Sequence, residues 1–310
     1  MSGADSLIHP PGTIDVHQHL WPPALIDALR SFTGPLRLDG WTLHLPGEPP
    51  YEVSPAHHDL ETRVAQETGS AAALVSLSSP LGIENMAPEI AGPLLTAWHD
   101  GAAELPPPFH AWAAVHSSDP NLQDLETRLT AGFIGLQIPA TSMTNPRDVE
   151  RLAPVLRLCE LADKPVLIHP GPVPVHSTSG TLPSWWPAVV DYTAQMTASW
   201  WSWAVAGRSL LPALRICFAA GAGLAPVHHE RFSVRGGGNP PPIDKLSFVE
   251  TSSYGPRGLD ALIRVLGIDV VVNGTDRPYA TTSELRLGDA ADRAVRVVNP
   301  RRLLGEPTAF

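Results

Sequence analysis

The sequence predicts an α/β protein, a (β/α)8 barrel formed by one domain over residues 1–310, with irregular insertions after strands 1 and 5. Eight short apolar runs alternate with amphipathic segments, and 310 residues is a length that such barrels commonly have. The alternative, a doubly wound sheet, is less favoured because no glycine-rich phosphate-binding turn follows the first run. The eight runs lie at 13–20, 71–79, 109–116, 133–140, 164–171, 214–223, 246–255 and 268–276.

Most of these runs are continuous and rich in β-forming residues, as expected of parallel strands that are buried on both faces. The segments between them carry apolar residues at helical spacing, which predicts the covering helices. The clearest candidates for helices are residues 120–130, 146–162, 255–267 and 287–299.

Two segments interrupt the alternation. Residues 30–57 form an irregular excursion after the first run, with a small hairpin, and residues 171–207 are rich in proline and tryptophan. Both follow the carboxyl ends of strands, where a barrel builds the walls of its active site. The tryptophans fit two alternatives: packing of a long loop or a homodimer interface, or the lining of an apolar substrate pocket.

Composition limits the classes of partner. The formal net charge of −10 argues against nucleic acid and anionic membranes, so a small-molecule substrate is expected. No apolar run approaches the roughly 18 residues of a membrane span, and the start of the chain lacks a signal peptide, which predicts a cytoplasmic protein. Cys159 and Cys217 lie in apolar surroundings and are expected to be buried, inert thiols.

Four chemistry-bearing side chains follow predicted strands. His17 and His19 end the first run, His169 ends the fifth and Asp276 ends the eighth. Because side chains alternate along a strand, His17 and His19 both point into the barrel mouth. Three imidazoles and one carboxylate form a ligand set for one divalent metal ion, with zinc as the first expectation.

These residues lie in motifs that resemble a known family. The strings "IDVHQH", "VLIHPG", "NGTDRP" and "NPRRLLG" are similar to those of the amidohydrolase superfamily, in its amidohydrolase-related branch. That branch holds metal-dependent decarboxylases similar to aminocarboxymuconate-semialdehyde decarboxylase, as well as lactonases. The resemblance implies that His17, His19, His169 and Asp276 bind one metal. It spans residues 12–305, and the fourth run lacks the lysine that bridges two metals in binuclear members.

One departure from the family pattern concerns proton transfer. The family's sixth strand ends in a histidine that serves as acid or base, but this chain has Ala220 at that position, within "FAAGAGLAP". Loss of a general acid or base costs about 10²–10⁴ in rate, so a working enzyme needs a substitute. His116, at the end of the third run, is the first candidate, followed by His228 and Glu250.

The expected activity is hydrolysis of an ester, lactone or amide by metal-activated water, with Asp276 accepting the proton of that water. Arg277 and Arg231 are candidates to hold a substrate carboxylate, unless they form surface ion pairs, and Glu250 and Trp21 are further candidates for substrate contacts. The first alternative is non-oxidative decarboxylation of an unsaturated or aromatic acid. The second is a catalytically silent barrel that binds a ligand or partner. The histidines assigned to the surface are His9, His44, His57, His58, His99, His110 and His176.

Overall fold

The structure is a computed structural model, and it describes residues 11–46, 50–173, 182–239, 243–280 and 285–306. His9 and His176, two of the predicted surface histidines, lie outside the described residues. Within those ranges, no helix is both long enough and apolar enough to cross a membrane.

Strands recur along the whole described chain, and each of the eight predicted runs contains or overlaps one of them. In chain order the strands are β1 (Thr13–Gln18), β2 (Arg37–Asp39), β3 (Thr42–His44), β4 (Tyr51–Glu52), β5 (Ser70–Val75), β6 (Phe109–Ala111), β7 (Leu136–Pro139), β8 (Val166–His169), β9 (Ile216–Phe218), β10 (Ser247–Glu250) and β11 (Val271–Val272).

Two parallel sheets form the centre of the molecule. One has the order β1-β5-β6, and the other has the order β7-β8-β9-β10-β11. Backbone hydrogen bonds link their edges on both sides: the Ala113 amide donates to the Gly135 carbonyl at 2.8 Å, and the Val16 amide donates to the Asn273 carbonyl at 2.9 Å. The described strands of these sheets therefore follow one another in a ring of eight, which confirms the predicted fold class.

Helices cover this ring. Three of the four predicted ones are present with shifts of up to two residues at their ends, and the fourth, 287–299, is divided into two α-helices joined by a π-helical segment, Ala294–Val298. Helix α5 begins with a capping box in which the Asn145 side chain and Asp148 satisfy the free amides of the first turn. In chain order the helices are α1 (Pro23–Ser31), α2 (Leu60–Gln66), α3 (Pro88–Ala103), α4 (Leu122–Thr130), α5 (Pro146–Leu161), α6 (Tyr192–Ser202), α7 (Arg208–Leu210), α8 (His229–Phe232), α9 (Pro256–Leu266), α10 (Asp289–Arg293) and α11 (Asn299–Leu304).

The two predicted insertions are present. In the first, β2, β3 and β4 form a small antiparallel sheet where a hairpin was expected. In the second, the Trp203 indole is buried and donates to the Ser247 hydroxyl at 2.9 Å, while Trp200 is buried against Phe218. These two tryptophans therefore pack the second insertion onto the barrel.

Two histidines predicted to lie on the surface are buried, so the prediction was wrong for them. His58 accepts a hydrogen bond from the Trp21 backbone amide at 3.0 Å, and His99 accepts one from the Ala114 amide at 3.1 Å. Burial lowers the pKa of His58 to about 3 and that of His99 to about 4. Both cysteines are buried and unpaired, and burial raises the pKa of the Cys159 thiol to about 12, as expected for inert thiols.

Candidate metal centre

The end of β1 positions two imidazoles on one wall. His17 and His19 turn their Nε2 atoms towards the barrel interior, and these atoms lie 3.2 Å apart. Gln18, between them, faces the opposite way and donates to the Glu67 carboxylate at 2.9 Å. The alternation of a strand therefore separates the metal-type side chains from the amide between them.

Two further ligand atoms converge on the same point. His169, at the end of β8, places its Nε2 atom 3.2 Å from that of His19. Asp276, which follows β11, places Oδ1 3.1 Å from His19 Nε2 and 3.6 Å from His17 Nε2. The structure thus brings together all four residues predicted to bind the metal, and their ligand atoms all lie within 4.8 Å of one another.

The outward-facing ring nitrogens show that a cation fits here. His19 Nδ1 lies 3.0 Å from the Ser76 carbonyl oxygen, and His169 Nδ1 lies 2.7 Å from the Pro170 carbonyl oxygen. Because a carbonyl only accepts, each Nδ1 carries the ring proton and each Nε2 presents a bare lone pair. Two such lone pairs face each other across 3.2 Å. A cation placed among them turns this repulsion into coordination.

The pKa values of His19, His169 and Asp276 support the same conclusion, whereas at His17 the neighbouring Glu250 and Asp276 outweigh burial and raise the pKa. Burial, together with the neighbouring His17 and His19, holds the pKa of His169 well below its ordinary value, and burial also lowers that of His19. Burial acts to raise the pKa of Asp276, but the surrounding imidazoles outweigh it and lower the pKa. Neutral imidazoles and an ionised carboxylate are the protonation states that bind a metal.

Glu250, on β10, lies behind the cluster. Its carboxylate is fully buried, and Oε1 lies 3.3 Å from His17 Nδ1. The Ser252 hydroxyl donates to Oε1 at 2.6 Å, and the Ala220 amide also donates to it. A Cβ at Gly274 would lie 2.3 Å from Oε2, so this carboxylate fits only beside a glycine. Glu250 therefore orients His17 and does not face the cavity.

An unusual turn after β9 presents the Ala220 amide to Glu250. Ala220 has a φ of 46°, and the left-handed conformation continues to Leu224, whose φ is 61°. Such values are unfavourable for residues with a Cβ. This left-handed turn is a feature that sequence reasoning missed.

A cavity of about 540 Å³ opens above the cluster. Both insertions contribute to its walls, the first through Leu45 and Tyr51 and the second through Val189 and Tyr192. Trp21, a predicted substrate contact, lines it and fixes its ring by donating to the Ser78 hydroxyl at 3.0 Å. The walls are predominantly apolar and aromatic, as is usual for small-molecule sites.

Four other candidates do not reach this cavity. His116 is held locally, because Nε2 lies 2.7 Å from the Met86 carbonyl oxygen and Nδ1 accepts from the Asp119 amide at 2.9 Å. His228 and Arg231 line a separate groove at the surface. The geometry therefore gives no support to acid–base roles for His116 and His228.

Arg277 also points away from the cavity. Its guanidinium forms an ion pair with the Glu67 carboxylate at 3.0 Å; an ion pair was the alternative expected from the sequence, but this one involves a buried carboxylate and does not lie on the surface. The residue that reaches the ligands from the same segment is Tyr279, whose ring centroid lies 5.2 Å from that of His19. Its position three residues after Asp276 was a signal available in the sequence.

Fold and site together define a (β/α)8 barrel with a candidate mononuclear metal centre at the carboxyl ends of its strands. No protein-family model matches the sequence, and no curated protein matches it. Solved structures do. An IDCase from Metarhizium anisopliae, in apo form, has 17% identity and a TM-score of 0.73, with 96% of this chain and 97% of that chain covered.

Two further structures have the same fold. A 5-carboxyvanillate decarboxylase from Novosphingobium aromaticivorans, with bound manganese, has 18% identity, a TM-score of 0.69 and coverage of 98% of this chain and 99% of its own. A protein described as amidohydrolase II has 17% identity, a TM-score of 0.69 and coverage of 95% and 100%. The resemblance to amidohydrolase proteins is thereby confirmed at the level of the fold.

Proposed function

We propose that the protein is a metal-dependent enzyme that removes CO₂, without oxidation, from an aromatic or unsaturated acid. The observation that carries the proposal is the cluster of three imidazoles and one carboxylate at the base of an aromatic-lined cavity. Support comes from the similar structures, which include decarboxylases matched over nearly their whole length. Hydrolysis, the activity expected first, stays a prediction.

His17, His19, His169 and Asp276 would hold one divalent ion, manganese or zinc. When bound, such an ion supplies positive charge that fixes the substrate's oxygens and stabilises negative charge that builds up beside it. Glu250, Ser76 and Pro170 keep the three imidazoles in the required orientation through their Nδ1 atoms.

Loss of CO₂ leaves an electron pair on carbon, and a proton must replace the departing group. Asp276 is the only carboxyl group among the described residues that line the cavity, and its lowered pKa leaves it ionised near neutral pH. It can take up the proton of a substrate hydroxyl and return a proton to the carbon that has lost CO₂. This assigns to Asp276 the proton transfer for which the sequence lacks a histidine at Ala220.

The aromatic walls of the cavity can orient the substrate and exclude water. Trp21, Tyr51, Tyr192, Tyr254 and Tyr279 line the cavity and offer planar faces to a planar substrate. Stacking of this kind aligns the bond to CO₂ and excludes water from it.

A panel assay tests the proposal. Purified protein is loaded with Mn²⁺ or Zn²⁺ and given hydroxybenzoic and unsaturated acids in one set of reactions, and lactones and esters in another. We expect CO₂ from at least one acid, abolished by a chelator and restored by added metal. Turnover of a lactone or ester with no CO₂ from any acid would replace the proposal by hydrolysis, and turnover that survives complete removal of metal would refute both.

A further inference from the structure

The cavity differs from most anion-binding sites in the charge of its walls. Of the described residues that line it, none is lysine or arginine. All 21 lysines and arginines of the chain fall within the described ranges, so each of them has a place in the structure. The cavity therefore offers a substrate no fixed side-chain cation of these two types.

Two arginines contact the segments that carry the candidate ligands, but from the side of β1 that faces away from the cavity. Arg277, next to Asp276 in the chain, pairs with Glu67, and Arg63 donates to the backbone carbonyl of His19 at 2.5 Å and to the Gln18 side chain at 2.6 Å. Both guanidiniums thus serve a network behind β1, and neither lines the cavity.

Charge at the centre itself is limited too. A divalent ion held there would have part of its charge offset by the Asp276 carboxylate and by Glu250 behind His17, and the remaining charge would favour one substrate carboxylate. A second carboxylate elsewhere in the cavity would find no lysine or arginine side chain among the described lining residues to pair with.

We infer that the substrate is a monocarboxylic acid with an uncharged, aromatic or otherwise planar body, and that the cavity discriminates against dicarboxylic acids. The inference rests on the proposed function for the position of the reacting carboxylate. It goes further by fixing the charge of the rest of the molecule. Hydroxyl groups on the ring are accommodated, because serine and tyrosine hydroxyls belong to the walls.

A matched pair of acids tests this. The probes are 2-hydroxy-5-methylbenzoate and 2-hydroxy-5-carboxybenzoate, which differ only in a methyl group against a second carboxylate. Their binding to the Mn²⁺-loaded protein is measured by calorimetry, and their CO₂ release is measured separately. We expect the methyl acid to bind at least about 100-fold more tightly, because burial of an unpaired charge is strongly unfavourable.

A variant and its control assign that preference to charge. Val189 lines the cavity and is 57% exposed, so Val189→Arg places a cation at the rim with little risk to folding. Val205 is 66% exposed and does not line the cavity, so Val205→Arg makes the same charge change elsewhere. Val189→Arg should reduce the ratio of the two dissociation constants at least about tenfold, and Val205→Arg should leave this ratio unchanged.

The outcomes separate this inference from the proposed function. Equal binding of the two acids overturns the inference, even if both release CO₂ and the proposed function stands. Tight binding of the methyl acid with no CO₂ from either acid sustains the inference while decarboxylation fails. An unchanged preference in Val189→Arg contradicts charge as its source.

Discussion

The two sides of β1 differ in how their polar groups are satisfied. On the outer side, Gln18 accepts from Arg63 and donates to Asp15 and Glu67, so each polar group of its side chain has a protein partner. On the inner side, the lone pairs of His17, His19 and His169 face one another with no donor between them. The outer network is held by hydrogen bonds within the protein, whereas the inner cluster would be completed by a cation. One strand thus carries a structural charge network and a binding site, separated by the width of the backbone.

The largest effect is expected from the inner side. Asp276→Asn keeps the shape but removes the charge and the proton carrier, so CO₂ release should fall about 10³-fold or more. Metal content, measured by mass spectrometry after dialysis, should not exceed that of the wild-type protein. Circular dichroism should show that the fold is unchanged. Activity within tenfold of wild type would remove Asp276 from the proposed chemistry.

A substitution on the outer side of β1 is expected to lower the stability of the fold instead. Glu67 accepts from Gln18 and Arg277, so Glu67→Gln removes the buried carboxylate that faces the Arg277 guanidinium and should lower the free energy of unfolding by about 3 kcal/mol. Urea denaturation measures this loss, and metal affinity should stay within about twofold of wild type. Glu61→Gln, at an exposed site on helix α2, is the control. A large fall in metal affinity in Glu67→Gln would show that the two sides of β1 are coupled.

Glu250 belongs to the inner side because it contacts His17, although its own carboxylate does not face the cavity. Glu250→Gln removes the charged partner of His17 Nδ1 and should weaken metal binding about 10–100-fold. Competition with a chelating dye measures the dissociation constant, and Glu230→Gln, at an exposed site, provides the control. Restoration by Glu250→Asp would indicate a need for the charge, and unchanged affinity in Glu250→Gln would show that Glu250 only fills space.

A smaller effect concerns pH. His99 has a pKa of about 4 in the folded protein, so between pH 6.5 and pH 4 the unfolded chain binds more protons at this residue. Stability should therefore decline as the pH falls, by about 1.4 kcal/mol per pH unit from His99. Urea denaturation at pH 7 and pH 5 should show a smaller decline in His99→Gln than in wild type. The pKa of Asp15, raised to about 6, acts in the opposite direction in both proteins and cancels in the comparison. Equal declines would refute the assignment.

The ring of strands and the cluster of four candidate ligands could be predicted from the sequence because both depend on short-range regularities. Apolar runs reveal buried strands, and a spacing of two residues places His17 and His19 on one wall. What it could not reveal depends on packing between distant segments. His99 lies on a helix whose surface is covered in the fold, and His116 ends a strand run but is held by the carbonyl of Met86. Equally, Arg277 stands next to a ligand in the chain but pairs with Glu67, more than two hundred residues away.

The ring closes between its first and last strands, and this has a consequence for biosynthesis. His17 and His19 leave the ribosome early, but Asp276 follows them by more than 250 residues. At about 5–20 residues per second, the early ligands wait more than about 10 s for the last one. A nascent or truncated chain that ends before β11 therefore lacks both the closing strand and the carboxylate. Tight binding of a metal ion would thus require that translation has passed the final strand. A truncated protein would be distinguished from the full chain by its weaker retention of the ion.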